Sequence, residues 1–295
     1  MLRSMLFIPG DSEKKLVKGD ASGADALILD LEDAVSPENK AIARQRVAEY
    51  LETRPRGVRA MQLWVRVNPF DSGMTLTDLA AVTGGAPDGI MAPKVNGPED
   101  VRRLSHYLDA FEANAGVEPG LIRILPVATE TAVAPFGLGD YARAGLDRLV
   151  GLTWGAEDLS AAVGASTNLG PDGKWALTYQ MVRSMTLLAA HAAGIQAIDT
   201  LYTDFRDDAG LRASCAAALA EGFTGRIAIH PDQVAGINES FSPSRADIDH
   251  ANAVLAAFAA SPGAGAVQLN GKMLDIPHLK QAQGVIARSM VLQGA

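Results

Sequence analysis

Charged side chains follow most of the apolar runs in this sequence, at the point where each run ends. The stretch LILDLEDAVSPENK (27–40) begins as an apolar run and ends in three carboxylates. A single acid at such a position can be chance, but repetition at nearly every run indicates a shared functional site. The ionisable residues at these ends are Asp30, Glu32, Asp33, Arg66, Lys94, Glu130, Asp158, Asp204 and His230.

Two of these carboxylates predict a metal site. Glu130 lies in PVATETA and Asp158 in WGAEDLS, at the ends of consecutive apolar runs. Two carboxylates completed by water and substrate oxygens are the usual ligands of Mg²⁺, with Mn²⁺ as a substitute. The chain has one cysteine and no Cys/His metal spacing, which argues against zinc. The alternative is that either acid only caps the helix that follows it.

Arg66 and Lys94 predict anion binding. Arg66 lies inside an apolar strand, WVRVNPF, where a buried guanidinium needs an anionic partner. That partner is either a structural acid such as Glu32 or a substrate carboxylate held bidentately. Lys94, in APKV, faces the same choice. Five acids on one ion would carry excess charge, so Asp30, Glu32 and Asp33 are interpreted as residues that orient Arg66, Lys94 or metal-bound water.

His230, in AIHP, is either a catalytic base or a residue that fixes a loop, and the second interpretation is favoured. Helix capping explains one of the three acids in LILDLEDA equally well.

The apolar runs alternate with helical patterns and define the predicted fold. The runs are continuously apolar, which is typical of parallel strands buried on both faces. Eight strand–helix units predict an α/β protein with a (β/α)8 TIM barrel, and an open doubly wound sheet is the alternative. The nucleotide-binding fingerprint of a doubly wound sheet is matched only by GLGDYA (137–142). This match follows a helical pattern rather than a strand, which argues against the open sheet. The predicted strands are 4–9, 25–30, 62–67, 89–94, 123–128, 148–154, 197–202 and 226–231.

The predicted domains are a catalytic barrel over 1–260 and a C-terminal helical extension over 261–295. The extension begins with the Gly-rich stretch SPGAGAVQLNGK and continues as a helix that opens at Pro277. A barrel does not need this segment, so we expect it to reach a neighbouring subunit.

Composition excludes several classes of function. The chain carries 34 acidic and 26 basic residues without a basic run, so no nucleic-acid partner is expected. No apolar stretch is long enough for a membrane helix, and the N-terminal segment does not resemble a signal peptide. The single cysteine, Cys215, cannot form an internal disulfide, so a cytoplasmic location is expected.

The sequence resembles the citrate lyase β-subunit-like (CitE-like) and malyl-CoA lyase branch of the HpcH/HpaI aldolase superfamily. The matching stretches span residues 3–276 and include RSMLFIPGDSEK, ALILDLEDAVSPENKAIAR, LPVATETA, WGAEDL, FTGRIAIHPDQV and NGKMLDIP. The resemblance implies a Mg²⁺-dependent barrel, assembled as a homotrimer or a hexamer of trimers.

The resemblance also implies residue roles. Glu130 and Asp158 would be the metal ligands, Arg66 would hold the substrate carboxylate, and Asp275 would enter a neighbouring active site as the acid–base group. The alternative for Asp275 is a cap on the helix at Pro277. The tail is typical of free-standing CoA lyases rather than of short citrate lyase β subunits.

The expected reaction is cleavage of a 3-hydroxyacyl-CoA, such as citramalyl-, malyl- or citryl-CoA, to an oxo acid and acetyl-CoA, or formation of the 3-hydroxyacyl-CoA in the reverse direction. Three alternatives remain open: a malyl-CoA thioesterase, a β subunit acting on citryl-acyl carrier protein, and a non-catalytic subunit that binds thioesters.

Overall fold

Eight parallel strands follow one another in the computed structural model, which describes residues 1–293. The strands are β1 (Ser4–Pro9), β2 (Ala26–Asp30), β3 (Gln62–Arg66), β4 (Gly89–Ala92), β5 (Arg123–Pro126), β6 (Gly151–Leu152), β7 (Gln196–Asp199) and β8 (Gly225–Ala228). They lie in the order β5-β4-β3-β2-β1-β8-β7-β6. Bridges between Ile124 and Leu149 and between Val127 and Thr153, next to the two end strands, close the barrel. The predicted TIM barrel is confirmed.

Helices and one long 3₁₀ segment alternate with these strands along the chain or follow the last of them. The segment after β5, Ala134–Arg143, is 3₁₀ and itself contains GLGDYA, so this match is not the turn between a strand and an α-helix that the nucleotide fingerprint requires. The helices are α1 (Glu13–Gly19), α2 (Lys40–Glu52), α3 (Thr75–Val82), α4 (Pro98–Ala115), α5 (Ala156–Ala162), α6 (Leu177–Ala192), α7 (Asp208–Glu221), α8 (Asp232–Phe241), α9 (Arg245–Ala259) and α10 (Ile276–Gln293). In the described part of the chain, no helix has the length and apolar character that crossing a bilayer requires.

The strand register explains where the charged strand ends point. Side chains two residues apart on a strand share a face. Ile28 and Trp64 belong to one buried apolar cluster and are register partners on β2 and β3. Two residues further along each strand, Asp30 and Arg66 are also partners. Both charged side chains therefore continue the face that carries the apolar cluster, at the carboxyl end of the barrel.

The chain divides into two compact units, Leu2–Ile237 and a second unit that runs from Asn238 onward together with Met1. The predicted barrel domain extends to residue 260, whereas α9 belongs to the second unit. This second unit has its own apolar core, in which Val254 and Phe258 of α9 pack with Leu274 and Ala282.

The segment after α9 contains a β-hairpin that the sequence analysis treated only as Gly-rich. Strands β9 (Ala266–Leu269) and β10 (Lys272–Asp275) pair antiparallel. Asn270 and Gly271 connect them with φ angles of 51° and 77°. Positive φ at both residues of an Asn-Gly pair is the signature of a type I′ turn, which matches the twist of paired strands. The hairpin places Asp275 at the last position of β10, directly before α10.

Candidate active site

Arg66 is fixed by a buried acid. Its Nε and Nη2 donate to the two carboxylate oxygens of Asp30 at 2.7 and 2.6 Å. Asp30 is fully buried and also accepts the backbone N–H of Glu32. This bidentate pair follows from the strand register, because Asp30 and Arg66 are direct neighbours. Asp30 is thus the main structural partner of Arg66, whereas the sequence analysis suggested Glu32 as an example of such a partner.

Glu32 lies between the two cations of the site. Its Oε2 is 2.9 Å from Nη1 of Arg66, an ion pair whose angle is outside hydrogen-bond geometry. Its Oε1 accepts a short hydrogen bond from Nζ of Lys94. Burial raises the pKa of Glu32 despite the opposing charges of Arg66 and Lys94. Glu32 therefore links Arg66 to Lys94, as the orienting role predicted for it requires.

Lys94 connects Glu32 to the predicted metal ligands. Its Nζ lies 3.1 Å from Asp33 and 3.3 Å from Asp158, and its backbone N–H donates to Oε2 of Glu130 at 2.7 Å. Burial alone would lower the pKa of Lys94, but the bond to Glu32 and the nearby acids raise it above the ordinary value. Lys94 is therefore a cation at neutral pH that contacts four carboxylates.

The backbone of Lys94 is strained in a way that serves this contact. Its φ is 52°, in the left-handed region that non-glycine residues rarely adopt. Such a conformation costs on the order of 1–3 kcal/mol and persists only where the surroundings enforce it. Here the same residue delivers its N–H to Glu130 and its ammonium group to Glu32.

Glu130 is a buried acid with an acidic neighbour. It is 6% exposed, and burial followed by the negative charge of Asp158 raises its pKa to about 8. Asp158, in the first turn of α5, is one-third exposed. Gly155 leaves room for the buried carboxylate, because a Cβ there would lie 2.9 Å from Cγ of Glu130. The structure thus brings the two predicted metal ligands together.

The donor set fits a hard divalent cation. Both predicted ligands are carboxylates, and a cation between them would remove the repulsion that favours protonation of Glu130. Among residues 1–293, no group of three or more His, Cys, Asp and Glu side chains is arranged to hold a metal. The protein would supply two ligands, and water and substrate oxygens would supply the others.

A cavity of about 520 Å³ opens beside these residues. The sequence analysis missed part of its lining, namely residues after the ends of β3 and β4 and on α4. The guanidinium of Arg103 lies 4.6 Å from the ring centre of Phe70, and its Nε donates to the hydroxyl of Tyr107. The sequence signal that could have identified Arg103 is its position near the start of the helix that follows β4. The lining includes Lys94, Glu130, Asp158, Asn96, Thr131 and Arg103.

Two of the other strand-end residues have local roles. His230 stacks on Phe205 with ring centres 4.5 Å apart, and its Nδ1 accepts the backbone N–H of Asp232 at 3.3 Å. These contacts match the favoured interpretation of a residue that fixes a loop. Asp204 accepts the backbone N–H of Arg206 and lines a different cavity of about 600 Å³.

Asp275 lies in the second unit and is half-exposed. Its Oδ1 is 2.5 Å from Nδ1 of His278, a residue that the sequence analysis gave no role. The sequence signal that could have predicted this contact is the spacing of three residues between Asp275 and His278 at the start of a helix.

Comparison with known proteins agrees with this geometry. The family model described as HpcH/HpaI aldolase/citrate lyase matches residues 3–231. The chain belongs to the HpcH/HpaI aldolase/citrate lyase family.

Relatives of this family member carry several activities. The chain is 34% identical to the mitochondrial citramalyl-CoA lyase of Mus musculus, with 96% of this chain and 85% of the relative aligned. It is 36% identical to a (3S)-malyl-CoA thioesterase of Cereibacter sphaeroides, with 97% and 94% aligned. The crystal structure of CitE from Mycobacterium tuberculosis with magnesium, acetoacetate and coenzyme A has a TM-score of 0.79, 32% identity and 97% coverage of both chains.

The Arg66 contacts predict a stability defect in Arg66→Lys. A lysine keeps the positive charge but cannot reproduce the bidentate bond to the fully buried Asp30. Complete removal of one partner of a buried ion pair costs about 3–5 kcal/mol, so we expect Arg66→Lys to cost part of that amount. We therefore expect a clear fall in the urea midpoint of unfolding, together with reduced function.

The matched control is Arg245→Lys, because Arg245 pairs with Asp249 at the surface and is 87% exposed. Its expected cost is below about 1 kcal/mol. An Arg66→Lys protein with wild-type stability and impaired substrate binding would instead assign Arg66 mainly to the substrate.

The raised pKa of Glu130 predicts a pH dependence in the metal-free protein. Between pH 4.5 and about 8, the unfolded chain has released this proton while the folded chain still holds it. The folded state therefore loses relative stability as the pH rises through this window. Glu130→Gln mimics the protonated acid, so its melting temperature in EDTA should rise relative to the wild type from pH 5 to pH 8. A difference between the two proteins that stays constant across this range would contradict the raised pKa.

Proposed function

We propose that this chain is a Mg²⁺-dependent carbon–carbon lyase that cleaves, or in reverse forms, a 3-hydroxyacyl-CoA. The products of cleavage would be an oxo acid and acetyl-CoA. The observation that carries the proposal is the Glu130–Asp158 carboxylate pair beside a cavity at the carboxyl end of the barrel. Support comes from the likeness to citramalyl-CoA lyase and to a CitE structure with magnesium and coenzyme A.

Glu130 and Asp158 would hold the metal, with Mn²⁺ as a substitute for Mg²⁺. When bound, the ion supplies Lewis-acid stabilisation of negative charge on the substrate oxygen that becomes the keto oxygen. Lys94 holds both carboxylates, one through its backbone N–H and the other through its ammonium group. Asp30, Glu32 and Asp33 fix the two cations Arg66 and Lys94 by the contacts described above.

Arg66 and Lys94 are proposed to add positive charge where the substrate carboxylate binds. Asp30 already occupies the bidentate edge of Arg66, so a substrate carboxylate would have to share the guanidinium with it. The role that the family resemblance implies for Arg66, holding the substrate carboxylate, would therefore fall to the part of the guanidinium that Asp30 does not occupy. Asp275 is proposed to exchange the proton of the acetyl-CoA methyl carbon.

A second candidate function is hydrolysis of the thioester, because a (3S)-malyl-CoA thioesterase is 36% identical over 97% of the chain. Two further points are open to test. One is the identity of the acyl group, and the other is whether the substrate is a CoA thioester or citryl-acyl carrier protein. A reducing, cytoplasmic location is proposed from the single cysteine, which is buried.

The test of function is a product assay with malyl-, citramalyl- and citryl-CoA in Mg²⁺ and in EDTA. A lyase gives oxo acid and acetyl-CoA in equal amounts, whereas a thioesterase gives free CoA without oxo acid. We expect lyase products, lost in EDTA and lost in Glu130→Ala, which removes one metal ligand. Equal turnover in EDTA and in Mg²⁺ would reject the metal-dependent mechanism, and free CoA as the sole CoA product would favour the thioesterase.

The position of Gly155 predicts a specific defect in Gly155→Ala. The added Cβ would displace Glu130, and a shift of about 1 Å at a catalytic group costs on the order of 100-fold in rate. We expect weaker Mg²⁺ binding by calorimetry and a comparable loss of turnover, with the fold retained. Gly84→Ala is the control, since a Cβ there meets nothing within 4 Å. Wild-type Mg²⁺ affinity in Gly155→Ala would show that the Glu130 position is not critical.

We further propose that the second unit completes the active site of an adjacent subunit in a homotrimer or a hexamer. Met273 and Ile276 lie beside Asp275 in sequence and are 76% and 40% exposed. Apolar side chains exposed around a polar residue are typical of surfaces that contact another chain. Asp275 would reach its neighbour as part of this surface.

Subunit mixing tests this arrangement. Asp275→Ala and Glu130→Ala proteins should each be nearly inactive alone. In mixed oligomers, a site with Glu130 from one chain and Asp275 from the other can form. Equal random mixing should restore roughly a quarter of the sites, because each needs the correct neighbour on one side. If Asp275 serves its own chain, verified mixed oligomers would show no recovery.

A further inference from the structure

His278 and Asp275 form a close pair at the start of α10. Nδ1 of His278 lies 2.5 Å from Oδ1 of Asp275. The backbone N of Asp275 lies 3.2 Å from the same ring nitrogen. Both side chains are about half-exposed, so the surrounding protein does not force them together.

The short distance fixes where the proton lies. An unprotonated Nδ1 would present a lone pair to a carboxylate oxygen, and the contact would be repulsive at 2.5 Å. With a proton on Nδ1, the same contact is a charge-assisted hydrogen bond, which is strong and short. The backbone N–H of Asp275, which is in hydrogen-bond geometry with Nδ1 at 3.2 Å, can donate to this nitrogen only in the other tautomer. The shorter contact with the ionised carboxylate assigns His278 as the donor and Asp275 as the acceptor.

The backbone of both residues is held by different means. Asp275 pairs with Ala266 across the hairpin, and the preceding Leu274 is buried in the core of the second unit. His278 lies in the first turn of α10, three residues after Asp275. Since Oδ1 is occupied by His278, the carboxylate is restrained in one orientation. Within residues 1–293, the structure gives Oδ2 no hydrogen-bond partner, which leaves this oxygen available for a proton.

We propose that His278 is a positioning residue for proton transfer by Asp275. The hydrogen bond from Nδ1 to Oδ1 holds the carboxylate so that Oδ2 exchanges the proton of the substrate carbon. This inference rests on the proposed role of Asp275 in the lyase reaction. A half-exposed carboxylate without this bond would sample several rotamers, and only a fraction of the molecules would hold the oxygen in the reactive position.

Three substitutions of His278 separate positioning from packing. Asparagine places an amide N–H close to the position of Nδ1, glutamine places it near Nε2, and alanine has no donor. We expect kcat to fall about tenfold or more in His278→Gln and His278→Ala, with KM changed by less than about twofold. His278→Asn should recover most of kcat. His250→Asn is the control, because His250 lines the same cavity as His278 and is not part of this pair.

A second readout isolates the proton step. Incubation of acetyl-CoA with the enzyme in D2O should label the methyl group, and the rate should fall in parallel with kcat in the glutamine and alanine variants. Melting temperatures of all four variants would reveal a merely structural bond, which would lower stability without changing kcat or exchange.

Three results would overturn the inference. An inactive Asp275→Ala enzyme combined with wild-type kcat in His278→Ala would show that Asp275 works without His278. A folded His278→Asn enzyme as slow as His278→Ala would show that the donor position is unimportant. Wild-type kcat in Asp275→Ala would instead refute the role of Asp275 itself, and the positioning role would fall with it.

Discussion

The site depends on the compensation of negative charge that the barrel buries at its carboxyl end. Asp30, Glu32 and Glu130 are all less than 10% exposed, and an unpaired buried carboxylate is far costlier than an exposed one. Arg66 and Lys94 oppose these acids and the more exposed Asp33 and Asp158, and Lys40 adds a third positive charge near Asp30, Glu32 and Asp33. Five acids against three cations would leave two negative charges in excess if every acid were ionised. Burial, followed by the negative charge of Asp158, raises the pKa of Glu130 to about 8.

A divalent cation resolves the imbalance better than a proton can. Protonation of Glu130 removes one charge and also removes a ligand, whereas a metal ion neutralises two charges and keeps both carboxylates ionised. The strained backbone of Lys94 fits this view, since it secures Glu130 by an N–H that no titration can remove. The cost of that strain is met by the four contacts that the residue makes with acids.

The sequence predicted the parts of the molecule that obey simple periodicities. Eight apolar runs in the sequence correspond to eight strands. The acids that follow two of these runs, Glu130 and Asp158, are the two carboxylates that the structure brings together. The sequence analysis named Glu32 as an example of a structural partner of Arg66 and missed the bidentate bond to Asp30, because strand register is set by long-range pairing that a local pattern does not contain. The hairpin at Asn270-Gly271 carried a recognisable turn signal that was overlooked among nearby glycines. The left-handed backbone of Lys94 had no signal, because tertiary contacts impose it.

The electrostatics of the site also bear on the proposed proton-transfer role of Asp275, which lies elsewhere in the chain. A carboxylate added to the cluster around Glu130 would meet the same burial and repulsion, and its pKa would rise. Such a group would hold its proton at neutral pH and could not accept one from a carbon acid. Asp275 lies on the second unit, is half-exposed and contacts His278. In the proposed arrangement it reaches the substrate of a neighbouring subunit from outside the buried cluster, so the barrel that concentrates negative charge and the hairpin that carries the proposed acid–base group are different parts of the chain.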